Sequence, residues 1–185
     1  MRLSRFILLF SVFGLSLFTS AHAQDKLVTT PYFQVNLPQE IVLRKTASQN
    51  NGKTYLYAKT NQDGVMIDYL FGFFVEKLDN KKLKNKKDFL EEDVIETFKV
   101  YANKHDRSLN GNDPKQYIKD IKIGDLDFKM LRTPGSRMET LATVHNGQFY
   151  RVYISAVDPK NMDRLHKSIT ESLQLTNKQH KQQID

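Results

Sequence analysis

The 185-residue chain contains no cysteine. That absence excludes disulfides and thiolate chemistry, and with them the lipid-bearing cysteine on which a bacterial lipoprotein signal ends. Beyond the first 18 residues, no apolar run approaches the roughly 20 residues needed to cross a bilayer as a helix. The sequence has no internal repeat, no low-complexity tract, and none of the patterns G-x-S-x-G, S-x-x-K, G-x-G-x-x-G or the P-loop. Acidic residues are also the minority, 21 against 28 basic ones. A basic excess of this kind suits anionic neighbours such as lipid head groups or phosphorylated glycans.

The opening residues read as a targeting segment. Arg2 and Arg5 supply a positive start, and Phe6 to Phe18 is apolar except for Ser11, Gly14 and Ser16. Ala21-His22-Ala23 then gives the small-x-small pattern of a signal-peptidase site. The expected organisation is a cleaved signal over 1–23, with cleavage after Ala23, one α+β domain over 24–177, and a polar tail over 178–185. Removing Arg2 and Arg5 and no acid lowers the formal charge of +7 by two. The expected location is the periplasm or the surrounding medium. Nucleic acid is then not a partner, and neither a membrane-spanning nor a lipid anchor remains after cleavage.

The rest of the chain alternates between two periodicities. Phe33, Val35 and Leu37 alternate with Gln34 and Asn36 until Pro38, the mark of a half-buried strand. Residues 40–45 and 54–59 continue the strand pattern, separated by turn clusters at 48–53 and 61–64. Residues 65–76, VMIDYLFGFFVE, are apolar at both parities, which predicts a central strand covered on both faces, with Gly72 marking a bulge or a close packing contact. A lysine-rich loop is expected over 78–87. From Asp88, the expected N-cap, Leu90, Val94, Phe98 and Tyr101 recur at helical spacing and predict a helix ending near His105.

Past a loop at 106–114, the strands resume. Gly124-Asp125 and Asn146-Gly147 are tight hairpin signals, and 133–136 is a Pro-Gly turn. Asp158-Pro159 starts a last helix striped by Met162, Leu165, Ile169 and Leu173. The fold class expected is α+β, a mostly antiparallel sheet of about six or seven strands sandwiched between helices.

Two signatures carry a resemblance over about residues 30–175: F-x-V-x-L-P at Phe33, Val35, Leu37 and Pro38, and the ending, in which NGQFYRVYISA leads into a helix that closes with I-x-x-S-L at Ile169, Ser172 and Leu173. In these and in element order the chain resembles the PsbP-like fold, shared with the Ran-binding Mog proteins and the DcrB-type envelope proteins. The resemblance implies an antiparallel sheet between helices and a non-catalytic accessory role. It assigns no functional residue.

Candidate chemistry is sparse. Lys81, Lys82, Lys84, Lys86 and Lys87 crowd before a helix N-terminus, where free N–H groups add positive potential for an anion or partner, although Asp88, Glu91, Glu92 and Asp93 follow at once. Arg132 and Arg137 flank the Pro-Gly turn and are a second anion or partner candidate. Asp68 sits within the apolar strand and is a candidate functional acid, to be weighed against an exposed stripe or a Lys or Tyr partner. Glu91 and Glu92 are adjacent on a helix and point apart, so they form no glycosidase pair. The histidines outside the targeting segment, His105, His145, His166 and His180, lack metal-ligand spacing, and no cofactor or metal is implied. The reading that follows is an exported non-enzymatic accessory or binding protein, with an unidentified envelope protein or anionic envelope component as partner. The alternatives are a periplasmic hydrolase with a converged site and a secreted effector or inhibitor.

Overall fold

In the computed structural model, the described residues are 25–49, 52–60, 67–133, 135 and 137–176. The expected targeting segment with Ala23, the turn expected at 61–64, His180 and the expected polar tail lie outside them. The strands are β1 (Asp25–Thr29), β2 (Phe33–Pro38), β3 (Val42–Gln49), β4 (Gly52–Thr60), β5 (Ile67–Lys77), β6 (Ile118–Ile123), β7 (Leu126–Arg132), β8 (Met138–His145), β9 (Gln148–Ala156) and β10 (Gln174–Leu175). The helices are α1 (Asn80–Lys84), α2 (Lys86–Lys104) and α3 (Pro159–Ser172), with single 3₁₀ turns at Arg107–Leu109 and Pro114–Tyr117.

Seven strands form one antiparallel sheet in the order β3-β4-β5-β9-β8-β7-β6. The local chemistry sets its hairpins. Asn146 and Gly147 hold φ of +49° and +76°, the left-handed pair that a two-residue β8–β9 connection needs to match strand twist. The expected α+β architecture is therefore present. The strand assigned from 33–38 lies elsewhere: β2 is the centre of a separate three-stranded sheet, β1-β2-β10.

The two faces of the large sheet carry different covers. On one face, Phe71 and Phe73 of β5 and Val152 and Ile154 of β9 share a core with Phe33, Val35 and Leu37 of β2 and with Met162, Leu165 and Ile169 of α3. The Phe33 and Phe73 rings lie 3.9 Å apart. The two signature motifs meet here, because Ser172 Oγ accepts the Asn36 N–H at 2.8 Å and Ser168 Oγ donates to the Asn36 carbonyl at 2.9 Å. These hydroxyls satisfy a β2 edge that the two-residue β10 is too short to pair. On the opposite face, α2 seats Val94, Phe98 and Ala102 against Leu131 of β7. Phe89 and Leu90 of α2 join Ala142 and Phe149 nearby. The helices α2 and α3 thus shield opposite faces.

Three local expectations are corrected. Most of the lysine-rich stretch 78–87 is helical rather than a loop, at Asn80–Lys84 and from Lys86: Asp79 caps α1 by accepting the Lys82 N–H at 2.8 Å, and lysine is a good helix former. Asp88 is not the N-cap of α2, which begins two residues earlier, after Asn85, and leaves Asp88 in its first turn. β5 is not covered on both faces along its length. Tyr69, Phe71, Phe73 and Val75 are buried, whereas Asp68, Leu70, Phe74 and Glu76 are half-buried. Gly72 marks no bulge, since its register with Leu56 and Tyr153 is regular. It is a packing point: a Cβ there would meet Tyr153 Cβ at 3.5 Å and Leu56 Cδ1 at 3.8 Å.

Candidate functional site

α2 crosses only part of its face. Its packing partners in the sheet are chiefly β7 and β8, with Phe149 and Arg151 of β9 and, at its N-terminal end, Phe74 of β5. Towards β3 the same face runs on through Tyr153, Gly72 and Leu56, which are aligned across β9, β5 and β4. Leu56 and Leu70 are half-buried there, and Val42 on β3 is 42% exposed. The flank of α2 that borders this open half is polar and aromatic rather than apolar. Asp93, Glu96, Thr97, Val100 and Tyr101 recur at three- and four-residue spacing, so they share one side of the helix.

That flank and the strands beneath it enclose a cleft of about 330 Å³, floored by Met138, Thr140, Arg151 and Tyr153. Asp93 and Arg151 close one part of it with paired hydrogen bonds, Nε to Oδ2 at 3.2 Å and Nη2 to Oδ1. Burial raises the Asp93 pKa, and the guanidinium only partly opposes that shift. Burial also raises the Tyr153 hydroxyl, with the nearby Tyr101 adding to it and a hydrogen bond from Ser155 opposing it. Tyr101 stacks on His105 with ring centroids 5.6 Å apart. Thr140, which lines the cleft, has its Oγ1 buried without a hydrogen-bond partner.

The other face holds a buried ionic cluster that sequence reading missed. Glu139 of β8 is fully buried. Its Oε1 lies 2.7 Å from His166 Nδ1 of α3, and its Oε2 lies 3.6 Å from Arg132 Nη1 of β7. Arg132 also bonds Asp163 at 2.6 Å. His166 and Arg132 line a cleft of about 450 Å³ together with Tyr117, Lys119 and Thr133. The available signal was a lone acid in the strand METLATVH, where every residue from Met138 to Thr143 proves buried.

The candidates from sequence are dispersed. Lys81 and Lys84 are exposed on α1, and Lys82 pairs with Glu76 at 3.6 Å and lies over the Phe89 ring. Lys86 and Lys87 border a different cleft, which also contains Asp120, Asp125 and Asp127. The five lysines therefore do not converge, and acids face the two that reach a cavity. Arg132 is committed to Glu139 and Asp163, and Arg137 is exposed just before β8. Asp68 has the lysine partner that sequence allowed, Lys59 at 3.7 Å, with both side chains over one-third exposed. Glu91 pairs with Lys115 at 2.8 Å, whereas Asp93, two positions on, pairs with Arg151. Among the described residues, no group of His, Asp and Glu is placed to hold a metal, and no helix is long and apolar enough to cross a membrane.

No protein-family model matches the chain, and no curated protein matches it. Among solved structures, a protein from Bacteroides thetaiotaomicron VPI-5482, determined at 1.50 Å resolution, is similar to it with 14% identity and a TM-score of 0.46. The match covers 84% of this chain and 50% of that one, so this chain spans about half the length of its structural neighbour.

Proposed function

We propose that the chain is exported to the periplasm or the medium and acts there without catalysis, as an accessory or binding protein that contacts an envelope component or a partner protein. The supporting observation is the half-covered sheet. Leu56 and Leu70 lie half-open beside the α2 cleft, and Val42 is 42% exposed on the neighbouring strand. An uncovered apolar surface on a folded domain marks a contact site. The positive start, apolar core and Ala21-His22-Ala23 site of the first residues support export. The PsbP-like signatures agree with an accessory role.

A photo-crosslinking residue at Leu70, compared with one at Leu27 on the far small sheet, tests the contact in intact cells. A discrete adduct from Leu70 with none from Leu27 is expected. Equal adducts from both, or none from Leu70, would remove the open face as the contact. Fractionation with N-terminal sequencing tests export, with Gln24 the expected first residue.

One observation favours a second, hydrolytic reading. A carboxylate orienting a histidine beside a cleft that also presents Arg132 and Lys119 is an arrangement suited to general-base chemistry. Turnover of carboxylic or phosphoric ester probes that disappears in His166→Gln, with folding intact, would favour it over the binding role.

A further inference from the structure

We infer that the cleft between α2 and β8–β9 is a subsite for an uncharged saccharide. The inference rests on the binding reading above and names the ligand class for that surface. Four features of the cleft select the class.

The first is charge. Asp93 and Arg151 cancel one another, which leaves Glu96 at the rim and His105 stacked on Tyr101. An anion would meet two carboxylates and a guanidinium already engaged, so phosphate and carboxylate ligands are disfavoured. The second is mixed polarity. Tyr101, Tyr153, Val100 and Met138 offer ring faces and methyl groups, while Asp93, Arg151 and Glu96 offer acceptors and donors on the same lining. A wholly apolar ligand would strip water from the ionic groups without replacing their hydrogen bonds, which costs free energy.

The third is what the floor lacks. Thr140, Arg151 and Tyr153 are paired with strands on both sides, so their main-chain groups are committed to neighbouring strands. An extended peptide laid there would find no free strand edge for its own N–H and C=O groups. A saccharide carries its hydroxyls on its perimeter and its C–H groups on its ring faces, which is the pattern this lining complements. The fourth is size and continuity. The volume of about 330 Å³ falls at the small end of ligand sites. Past Tyr153 the face continues over Gly72 to Leu56, so further sugar units have a surface on which to extend.

The test is ¹H–¹⁵N NMR titration of the exported protein with trimers of α-1,4-glucose, β-1,4-glucose and β-1,4-N-acetylglucosamine, and with an uncharged tetrapeptide, each to about 10 mM, so that even millimolar Kd values register. Expected is saturable movement of the Val100, Thr140 and Tyr153 amides by at least one trimer. Tyr153→Ala should weaken that binding about tenfold or more, whereas Lys160→Ala, on α3 across the sheet, should leave it unchanged. Absence of saturable shifts with every trimer, shifts that map elsewhere, or response to the tetrapeptide alone would each overturn the saccharide assignment. In those cases a persistent Leu70 adduct would leave the binding face standing, and its loss would remove both.

Discussion

Replacing His166 by alanine should destabilise the protein more than replacing the buried Glu139 by methionine, and the order follows from burial. Glu139 is fully buried, whereas the side chains of His166 and Arg132 are 29% and 32% exposed. In His166→Ala, the Glu139 Oε1 loses the hydrogen bond it shares with His166 Nδ1, and a fully buried carboxylate keeps less of its charge compensated. Arg132 remains, 3.6 Å from the other oxygen, and offsets part of the loss. Removing one partner of a buried pair costs about 3–5 kcal/mol, so about 3 kcal/mol is expected here. At roughly 2–4 °C per kcal/mol for a chain of this size, the melting temperature should fall by about 6–12 °C. In Glu139→Met the volume is kept and no charge stays buried. His166 and Arg132 regain water at the surface, and Arg132 keeps Asp163. The expected change is within about 1 kcal/mol of zero. Urea unfolding at pH 7, with the slope checked for constancy, measures both. Finding Glu139→Met the more damaging substitution would refute the account, because it would mean that the cluster contributes net stability rather than recovering a cost.

Phe98→Ala should cost about 3–5 kcal/mol, since Phe98 is 3% exposed and joins Val94 and Ala102 in seating α2; chemical denaturation measures it, and a loss under 1 kcal/mol would mean that α2 is held by other means. Gly147→Ala should cost about 1–2 kcal/mol at its φ of +76°, whereas Asn146→Gly should be near neutral, as read by thermal melts. For Asp93, burial raises the folded-state pKa above the unfolded value of about 3.9, so the protonated form is the better tolerated one. Its contribution to stability is therefore fullest below the unfolded pKa and is lost as pH rises through the folded pKa. Asp93→Asn should accordingly gain on the wild type between about pH 3 and pH 7, by urea unfolding at both ends. A gap that stays constant with pH would show that Arg151 fully offsets the burial.

Most elements were legible because short-range chemistry sets them. Asn146-Gly147 needs only its own φ preference to turn β8 into β9. Asp158 accepts the Lys160 N–H at 2.8 Å, and Pro159 opens α3 as written. Leu90, Val94 and Phe98 declare a helix by spacing alone. The lysines at 81–87 misled because a run of like charges resembles a loop in composition, while Asp79 and the intrinsic propensity of lysine make it helical. The candidate sites were less legible. Asp68 stood out in an apolar strand yet lies at a half-exposed position with Lys59. Glu139 was the acid with no exposed alternative, and its partners come from Arg132 seven positions before it and His166 a helix away.

By itself, the sequence determined the kinds of element, their hairpins and the presence of two helices with buried stripes, because those depend on side-chain period, turn residues and caps within a few positions. Tertiary structure alone decided that β2 leaves the main sheet to pair with β1 and β10, that α2 packs mainly on β7 and β8 and away from β3 and β4, and that Asp93 meets Arg151 while Glu139 meets His166. These outcomes turn on which distant surfaces compete for one another across 58 residues for Asp93 and Arg151 and 139 for Asp25 and Arg164. No local periodicity encodes the result of that competition.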